Sequence, residues 1–410
     1  MKITIKEIKV GLNFGSGVQS VGRLAIRNGI IYFEFDEEFR QSNLEISPLK
    51  LPLQSGVVEL PKDPFEGLAG VFNDSLPDGW GRLLFDRMLR SQGVSPSEVS
   101  PLDRLAYVGL NGMGALVYAP DQSPNDGSGI IDLDDLAAQT KGILEGESEE
   151  VINKLLALNG SSAGARPKAL IGLDAERKNI VHGVNQLSDG FEHWIVKFPN
   201  TQDGNDSGAI EYVYAVMASK AGIEMPDVHL FPSQKSNGYF SVKRFDRDGN
   251  KRLHMHTVSG LIHSNFRFPS LDYEDLLSLT GVLTKDIREV EKMFRLAVFN
   301  VMANNRDDHA KNFSFLMNEF GEWKLSPAYD LTFSNGPGGE QSTMVMGEGK
   351  NISSKHLIKL GLEAKLSKEF INDVFEQTHS ALANWESLSK DFGVSDSNRE
   401  LIQKSIAKFR

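Results

Sequence analysis

The densest chemistry in the chain lies in Asn304-Asn-Arg-Asp-Asp-His-Ala-Lys-Asn-Phe-Ser-Phe315, where charged and amide side chains follow a long amphipathic stretch. Asp307 and Asn312 stand five apart, the spacing at which a phosphoryl-transfer loop sets a base carboxylate and a metal-binding amide. The reaction needs both groups. A carboxylate takes the proton of the attacking hydroxyl, while an amide oxygen holds a magnesium ion that neutralises phosphate charge. Taken alone, the segment is equally a capping and turn cluster, because Asp and Asn favour loops after helices. A second carboxylate, Asp330, ends the run Trp323-Lys-Leu-Ser-Pro-Ala-Tyr-Asp330 and could join the same metal site across a β-hairpin.

Three upstream features extend this reading. Lys197 alternates with Val196 and Phe198 on a predicted strand, so it shares a face with Ile195 and calls for a partner or a ligand. Glu211 is the candidate partner, on a helix whose small residues Ala215 and Ala218 would let that side approach a sheet closely. A snorkelling lysine and a surface glutamate are the bland alternatives. The loop Asn159-Gly-Ser-Ser-Ala-Gly-Ala-Arg-Pro-Lys168 brings small residues, through which backbone N–H groups reach phosphate oxygens, and the charges of Arg166 and Lys168. Its hydroxyls, Ser161 and Ser162, could themselves accept phosphate. Loop, strand lysine, helix glutamate, Asp-x4-Asn and a last Asp follow one another in the order of a protein-kinase nucleotide site.

These groups need a scaffold. Residues 1–120 are mostly period-two, as in Val21-Gly-Arg-Leu-Ala-Ile26 and Ile30-Ile-Tyr-Phe-Glu-Phe35, with one helical stretch over 77–89, and predict a small β-rich domain. Residues 121–150 carry one basic and nine acidic residues and read as a solvated linker leading into a short helix. From about 150 to 245 strands at 168–173, 193–198 and 239–245 surround one helix. Beyond 270 the pattern is helical, best over 286–304 with Val290, Met293, Phe294, Ala297, Val298 and Val301 in register.

Composition narrows the function classes. The 410 residues are 40% hydrophobic and 24% charged, which is globular, and two or three domains fit the length. Cysteine is absent, which excludes disulfides, thiolate catalysis and Cys-ligated metals. A net charge of −11 argues against a nucleic-acid coat protein. No apolar run approaches membrane-spanning length and the N-terminus has no apolar leader, so the expected location is cytoplasmic and no membrane partner is expected. The glycine-rich Gly11–Gly17 and Gly109–Gly114 runs lack phosphate-loop order and read as turns, and His254 with His256 reads as a solvated or core-edge pair.

The segments Ser161-Ser-Ala-Gly-Ala-Arg-Pro-Lys168, Trp194-Ile-Val-Lys-Phe-Pro199, Lys243-Arg-Phe-Asp-Arg247, Asp307-Asp-His-Ala-Lys-Asn-Phe-Ser314 and Ser326-Pro-Ala-Tyr-Asp-Leu331 together resemble the HipA family of bacterial toxin–antitoxin kinases. Phe72-Asn-Asp-Ser-Leu-Pro-Asp78 and Val108-Gly-Leu-Asn-Gly-Met-Gly-Ala115 are similar to that family's N-terminal subdomain. The resemblance implies an α+β, two-lobed, protein-kinase-like fold: a β-rich N-terminal subdomain over 1–120, an acidic linker over 121–149, an N-lobe with the ATP-phosphate loop over 150–245 and a mostly α-helical C-lobe over 246–410. It implies a Ser/Thr protein kinase using ATP and Mg2+, with Asp307 as base, Asn312 and Asp330 as magnesium ligands, and Lys197 on the phosphates. The residues Ser162, Ala163, Gly164, Ala165, Arg166 and Lys168 would cover ATP, Lys243 to Phe245 would form the adenine hinge, and His309 and Lys311 count with the nucleotide site. Ser161 is the position where the family autophosphorylates, with Ser162 a second hydroxyl beside it. Phosphate there would repel ATP and switch the enzyme off.

The partners implied are a HipB-like helix-turn-helix antitoxin, through which alone DNA is met, and a protein substrate, an aminoacyl-tRNA synthetase among family members. Two other readings stand beside this one. One is a kinase-fold binding module that serves mainly as antitoxin partner, and the other is a kinase acting on a small molecule or lipid.

Overall fold

The computed structural model describes residues 5–124, 131–145, 152–159, 164–183, 187–200, 203–266 and 271–409. The chain divides into two compact units. The first comprises Met1–Asp203, Ser241–His263 and Leu316–Glu322, and the second comprises Gly204–Phe240, Ser264–Phe315 and Trp323–Arg410.

In the first unit the period-two segments form an antiparallel sheet in the order Val57–Glu59, Ile30–Phe35, Val18–Arg27, Glu7–Asn13, Leu116–Ala119. Alternation does the sorting: Ile31, Phe33 and Phe35 are buried while Tyr32 and Glu34 face away from the core, and Leu24 stands opposite Phe33. Phe33 packs on Phe35 and Phe72 at 4.7 and 4.9 Å between ring centroids. The helix Gly79–Ser91 buries Trp80, Leu84, Phe85, Met88 and Leu89. The next helix, Pro101–Val108, opens on a reciprocal cap in which the Ser100 hydroxyl and the Asp103 backbone N–H meet, and ends at Gly109. Gly109–Gly114 is thus a helix terminus and turn, as expected, and Gly11 lies in a strand at a register shift.

The acidic segment is more than a tether. Leu133–Glu145 is a helix that buries Leu133, Leu136, Thr140 and Ile143, and the Arg87 guanidinium donates to the Ile143 carbonyl. A second antiparallel sheet joins Ile180–His182, Lys168–Asp174, Phe191–Lys197 and the residues Ser241–Lys243. The strand expected to run to Phe245 stops at Lys243. Buried Asp246 pulls the chain into a turn there, accepting from Arg244 Nε at 2.9 Å, Arg244 Nη2 at 2.8 Å, Arg247 Nη1 at 2.7 Å and the Gly114 N–H at 2.7 Å. Burial alone would raise this carboxyl, but the guanidiniums of Arg244 and Arg247 outweigh it and hold it well below the usual range.

His254 and His256 are fully buried rather than solvated. His256 Nδ1 bonds Asp74 Oδ2 at 2.6 Å and its Nε2 meets Ser47 Oγ at 3.0 Å, while His254 Nε2 meets the Ile46 carbonyl at 2.8 Å. With each ring committed to a neighbour in the core, burial lowers the pKa of His254 to about 3 and keeps it neutral.

The second unit is mostly helical: Ser207–Lys220, Tyr273–Thr284, Ile287–Met302, Ser354–Glu363, Lys368–Leu382, Trp385–Asp391 and Asp396–Ala407. Asp286 caps Ile287–Met302 by accepting the Arg288 N–H at 2.9 Å, and all six residues of the expected apolar stripe are buried. Helix Ser207–Lys220 is buried over most of its circumference, Glu211 included, so that residue is no surface position. Among the described residues no helix is long and apolar enough to cross a membrane.

Candidate functional site

In the second unit, the helix Ile287–Met302 ends in the left-handed residue Asn304, and the chain emerges as the loop that carries Asp307. Asn304 and Asn305 are tied to Ser334 through a parallel bridge, the Ser334 N–H donating to Asn304 O at 3.1 Å and Asn304 Nδ2 donating to Ser334 O at 3.0 Å. Asp307 points outward, its side chain 60% exposed. Asn312 Nδ2 donates to the Asp307 carbonyl at 2.7 Å. That bond fixes which end of the amide is available: the N–H2 is spent on the loop, so the oxygen is left as an acceptor, the atom a hard cation needs.

Asp330 sits in the left-handed region at φ 59°, a conformation that costs about 1 kcal/mol or more outside glycine and persists only where neighbours impose it. Tyr329 supplies the constraint. Its hydroxyl donates to the Lys311 carbonyl at 2.7 Å and lies 2.5 Å from Ser314 Oγ, so the residue before Asp330 is fastened to the residues on either side of Asn312. Asp307, Asn312 and Asp330 are thereby carried by two segments that are hydrogen-bonded to each other. His309 Nε2 lies 4.0 Å from Asp307 Oδ1, and the His309 ring packs on Phe266 at 5.1 Å. The Lys311 ammonium stands 4.8 Å over the same Phe266 ring, which shields one side of it.

The first unit holds the other expected residues. Lys168 and Lys197 are directly opposite each other on adjacent antiparallel strands and therefore project from the same face. Lys168 is buried and Lys197 half-buried. Gly164, at φ 105°, lies so close to the Lys168 Nζ that a side chain there would occupy the position of the ammonium. Gly164 is held from both sides: its N–H donates to Asp78 Oδ1 and its carbonyl accepts the Trp80 N–H at 3.1 Å. Arg166 Nε pairs with Asp203 at 3.2 Å and Ala165 is exposed. Ser161, Ser162 and Ala163 lie outside the described residues. Lys243 bonds Glu192 at 2.6 Å through its ammonium, and Phe245 opens the turn around Asp246. Lys197 belongs to the first unit and Glu211 to the second.

The residues fit the groups that sequence suggested for them. A glycine backbone against a buried lysine could receive phosphate oxygens, and the oxygen of the Asn312 amide is the kind of donor that a magnesium ion takes. Sequence reasoning missed Asp308, Tyr329 and the Asp78–Gly164 contact. Asp308 had a signal: in an extended Asp-Asp pair the two side chains leave on opposite sides, so one of them faces inward.

Residues 16–119 match the family model described as the HipA N-terminal domain, and residues 160–385 match the HipA-like C-terminal domain. "Putative kinase Y4dM" of Sinorhizobium fredii (strain NBRC 101917 / NGR234) is 25% identical over 424 aligned positions, covering 95% of this chain and 93% of that protein. "Putative kinase Y4mE" of the same strain is 27% identical over 300 positions, 69% of this chain and 68% of that protein. Among solved structures, the Shewanella oneidensis MR-1 toxin–antitoxin system HipA, in complex with HipB and its operator DNA, superposes with a TM-score of 0.69 at 16% identity, covering 97% of this chain and 95% of that one. The α+β, HipA-like architecture expected from the sequence is the observed fold. With residues 160–385, more than half of the chain, matched by the C-terminal model and the N-terminal model matched ahead of them, the chain belongs to the HipA family.

Proposed function

We propose that the protein is an ATP- and Mg2+-dependent Ser/Thr protein kinase, the toxin of a toxin–antitoxin pair. The observation that carries this reading is the anchored amide of Asn312: it is fixed to the Asp307 carbonyl, and its neighbours Lys311 and Ser314 bond Tyr329, which supports a base at Asp307 with oxygen donors at Asn312 and Asp330. Asp307, exposed at the loop surface, accepts the proton of the attacking hydroxyl. Asn312 and Asp330 would hold magnesium, which when bound would supply charge neutralisation to the transferring phosphoryl group. Lys168, Lys197 and the backbone at Gly164 take the phosphate oxygens of ATP, with Ala165 and Arg166 beside them, and Lys243 to Phe245 form the adenine hinge. The domain division 1–120, 121–149, 150–245 and 246–410 goes with this reading.

The HipA structure in complex with HipB and operator DNA supports a HipB-like antitoxin as partner, and we propose that DNA is met through that antitoxin. The target we propose is a protein, an aminoacyl-tRNA synthetase, so that phosphorylation slows translation. Phosphorylation of Ser161 or Ser162 would add close to two negative charges to the segment that precedes Lys168 in sequence and switch the kinase off. The test is intact mass spectrometry of the full chain before and after Mg-ATP, on wild type and Asp307→Gln, with peptides mapped over 150–170. A phosphate acquired only by the wild type is the expected result. No phosphate in either, with nucleotide bound, would turn the reading toward a kinase-fold antitoxin partner without catalysis.

A further inference from the structure

Asp307 and its neighbour Asp308 face opposite ways. Asp307 is at the surface, and Asp308 is buried to 1% exposure, with no cation bonded to it among the described residues. Its carboxylate instead collects four neutral donors. Oδ1 accepts the backbone N–H groups of Ser342 at 3.0 Å and Thr343 at 3.1 Å; Oδ2 accepts the Tyr273 hydroxyl at 2.7 Å and Gln341 Nε2 at 3.1 Å. The circuit closes on itself. Asn300 Nδ2 donates to the Tyr273 hydroxyl at 2.9 Å, Asn305 Nδ2 to Asn300 Oδ1 at 3.0 Å, and Gln341 Nε2 to the Asn305 carbonyl at 3.0 Å. The segment doing the gripping is itself fixed, since Leu271 and Thr343 are paired as parallel strands and the Ser342 N–H and hydroxyl both donate to the Arg306 carbonyl.

A buried carboxylate without a cation is costly, and its use here is that it accepts only. An amide in its place has one oxygen, so its N–H2 would meet either the two backbone N–H groups or the Tyr273 and Gln341 donors. The groups bonded to the Asp308 carboxylate come from Tyr273 and from residues 341–343, and Gln341 and Ser342 also bond the Asn305 and Arg306 carbonyls of the loop that carries Asp307. We propose that Asp308 is the positioning residue of the candidate active site: it locks the Asp307 loop from below, so that its loss lowers the rate of phosphoryl transfer without weakening ATP binding. This deepens the kinase reading and rests on it.

The test uses the full chain, with autophosphorylation followed by intact mass at varied ATP and saturating magnesium, for wild type, Asp308→Asn and Tyr273→Phe. The expected result is a maximal rate lower by about 10- to 100-fold in Asp308→Asn and about 3- to 10-fold in Tyr273→Phe, with half-saturating ATP within about threefold of wild type in both. Should Asp308→Asn fail to fold, Tyr273→Phe decides, because it removes one donor and leaves the carboxylate its other three. Variants that keep the wild-type maximal rate, or whose loss appears only as weaker ATP binding, overturn the inference while the kinase reading stands. A folded wild type that takes up no phosphate overturns both.

Discussion

Removing one oxygen atom, in Tyr329→Phe, tests whether the metal site is assembled by a link between two segments or merely by their folding near one another. The hydroxyl has a single hydrogen, given to the Lys311 carbonyl at 2.7 Å, so at the Ser314 contact of 2.5 Å it accepts. Phenylalanine fills the same ring space and loses both bonds. At about 1 kcal/mol net for each neutral hydrogen bond, the lost coupling is about 2 kcal/mol, or about 30-fold in the population of the tied arrangement. That loss falls on the relation between Asp330, held at a left-handed φ of 59°, and Asn312. The magnesium concentration giving half-maximal autophosphorylation should therefore rise by about 10- to 30-fold, with the maximal rate at saturating magnesium recovered to within a few-fold. The measurement is the initial rate against magnesium at fixed saturating ATP, beside a thermal unfolding curve. An unchanged magnesium requirement in a variant that only melts earlier would refute the linkage and leave Tyr329 as packing.

Other consequences are equally open to measurement. Asp307→Asn keeps the loop's backbone bonds and should lower phosphate incorporation by about 10²- to 10⁴-fold while nucleotide binding, followed by fluorescence or calorimetry, persists; retained transfer would remove Asp307 from the role of base. Burial lifts the Asp308 carboxyl from 3.8 to about 7, despite the bonds from Tyr273, Thr343 and Gln341 that favour ionisation. With the folded-state value raised, this group's favourable contribution is fully present below about pH 4 and is lost as pH rises through about 7, a change of about 4 kcal/mol at most. Denaturant unfolding should thus show wild type losing more stability than Asp308→Asn between pH 4 and 8, and parallel curves would refute the assignment. Gly79→Ala places a Cβ against the backbone of Gly164 and Ala165 at a φ of 44°, so it should both lower the melting temperature and weaken ATP binding; an effect on neither would show that the contact yields freely. Trp385→Ala, at a fully buried ring 5.8 Å from Tyr214, should cost about 3–5 kcal/mol in unfolding free energy.

What the sequence disclosed and what it concealed divide along one physical line. Period and spacing are local, so they revealed the elements: Val290, Met293, Phe294, Ala297, Val298 and Val301 are buried along Ile287–Met302 as their spacing required, and Ile31, Phe33 and Phe35 alternate inward as a strand must. Asp307, Asn312 and Asp330 were singled out for the same reason, each being a reactive residue type next to the end of such an element. Polar groups whose partners are distant in the chain were not. His254 and His256 looked like a solvated or core-edge pair because nothing within ten residues says that Asp74, Ser47 and the Ile46 carbonyl will close around them. The strand at 239–243 stops two residues early for a carboxylate, Asp246, whose donors include the N–H of Gly114. Asp308 is the sharpest instance. Alternation in the Asp307-Asp308 pair says only that one of the two faces inward, and the return of Gln341, Ser342 and Thr343 decides that it is Asp308. Buried polar residues are thus the part of a site that sequence conceals, because a buried carboxylate is tolerable only once its long-range donors are in place. By that argument the residues most worth substituting in this loop are the ones whose chemistry is already fully occupied.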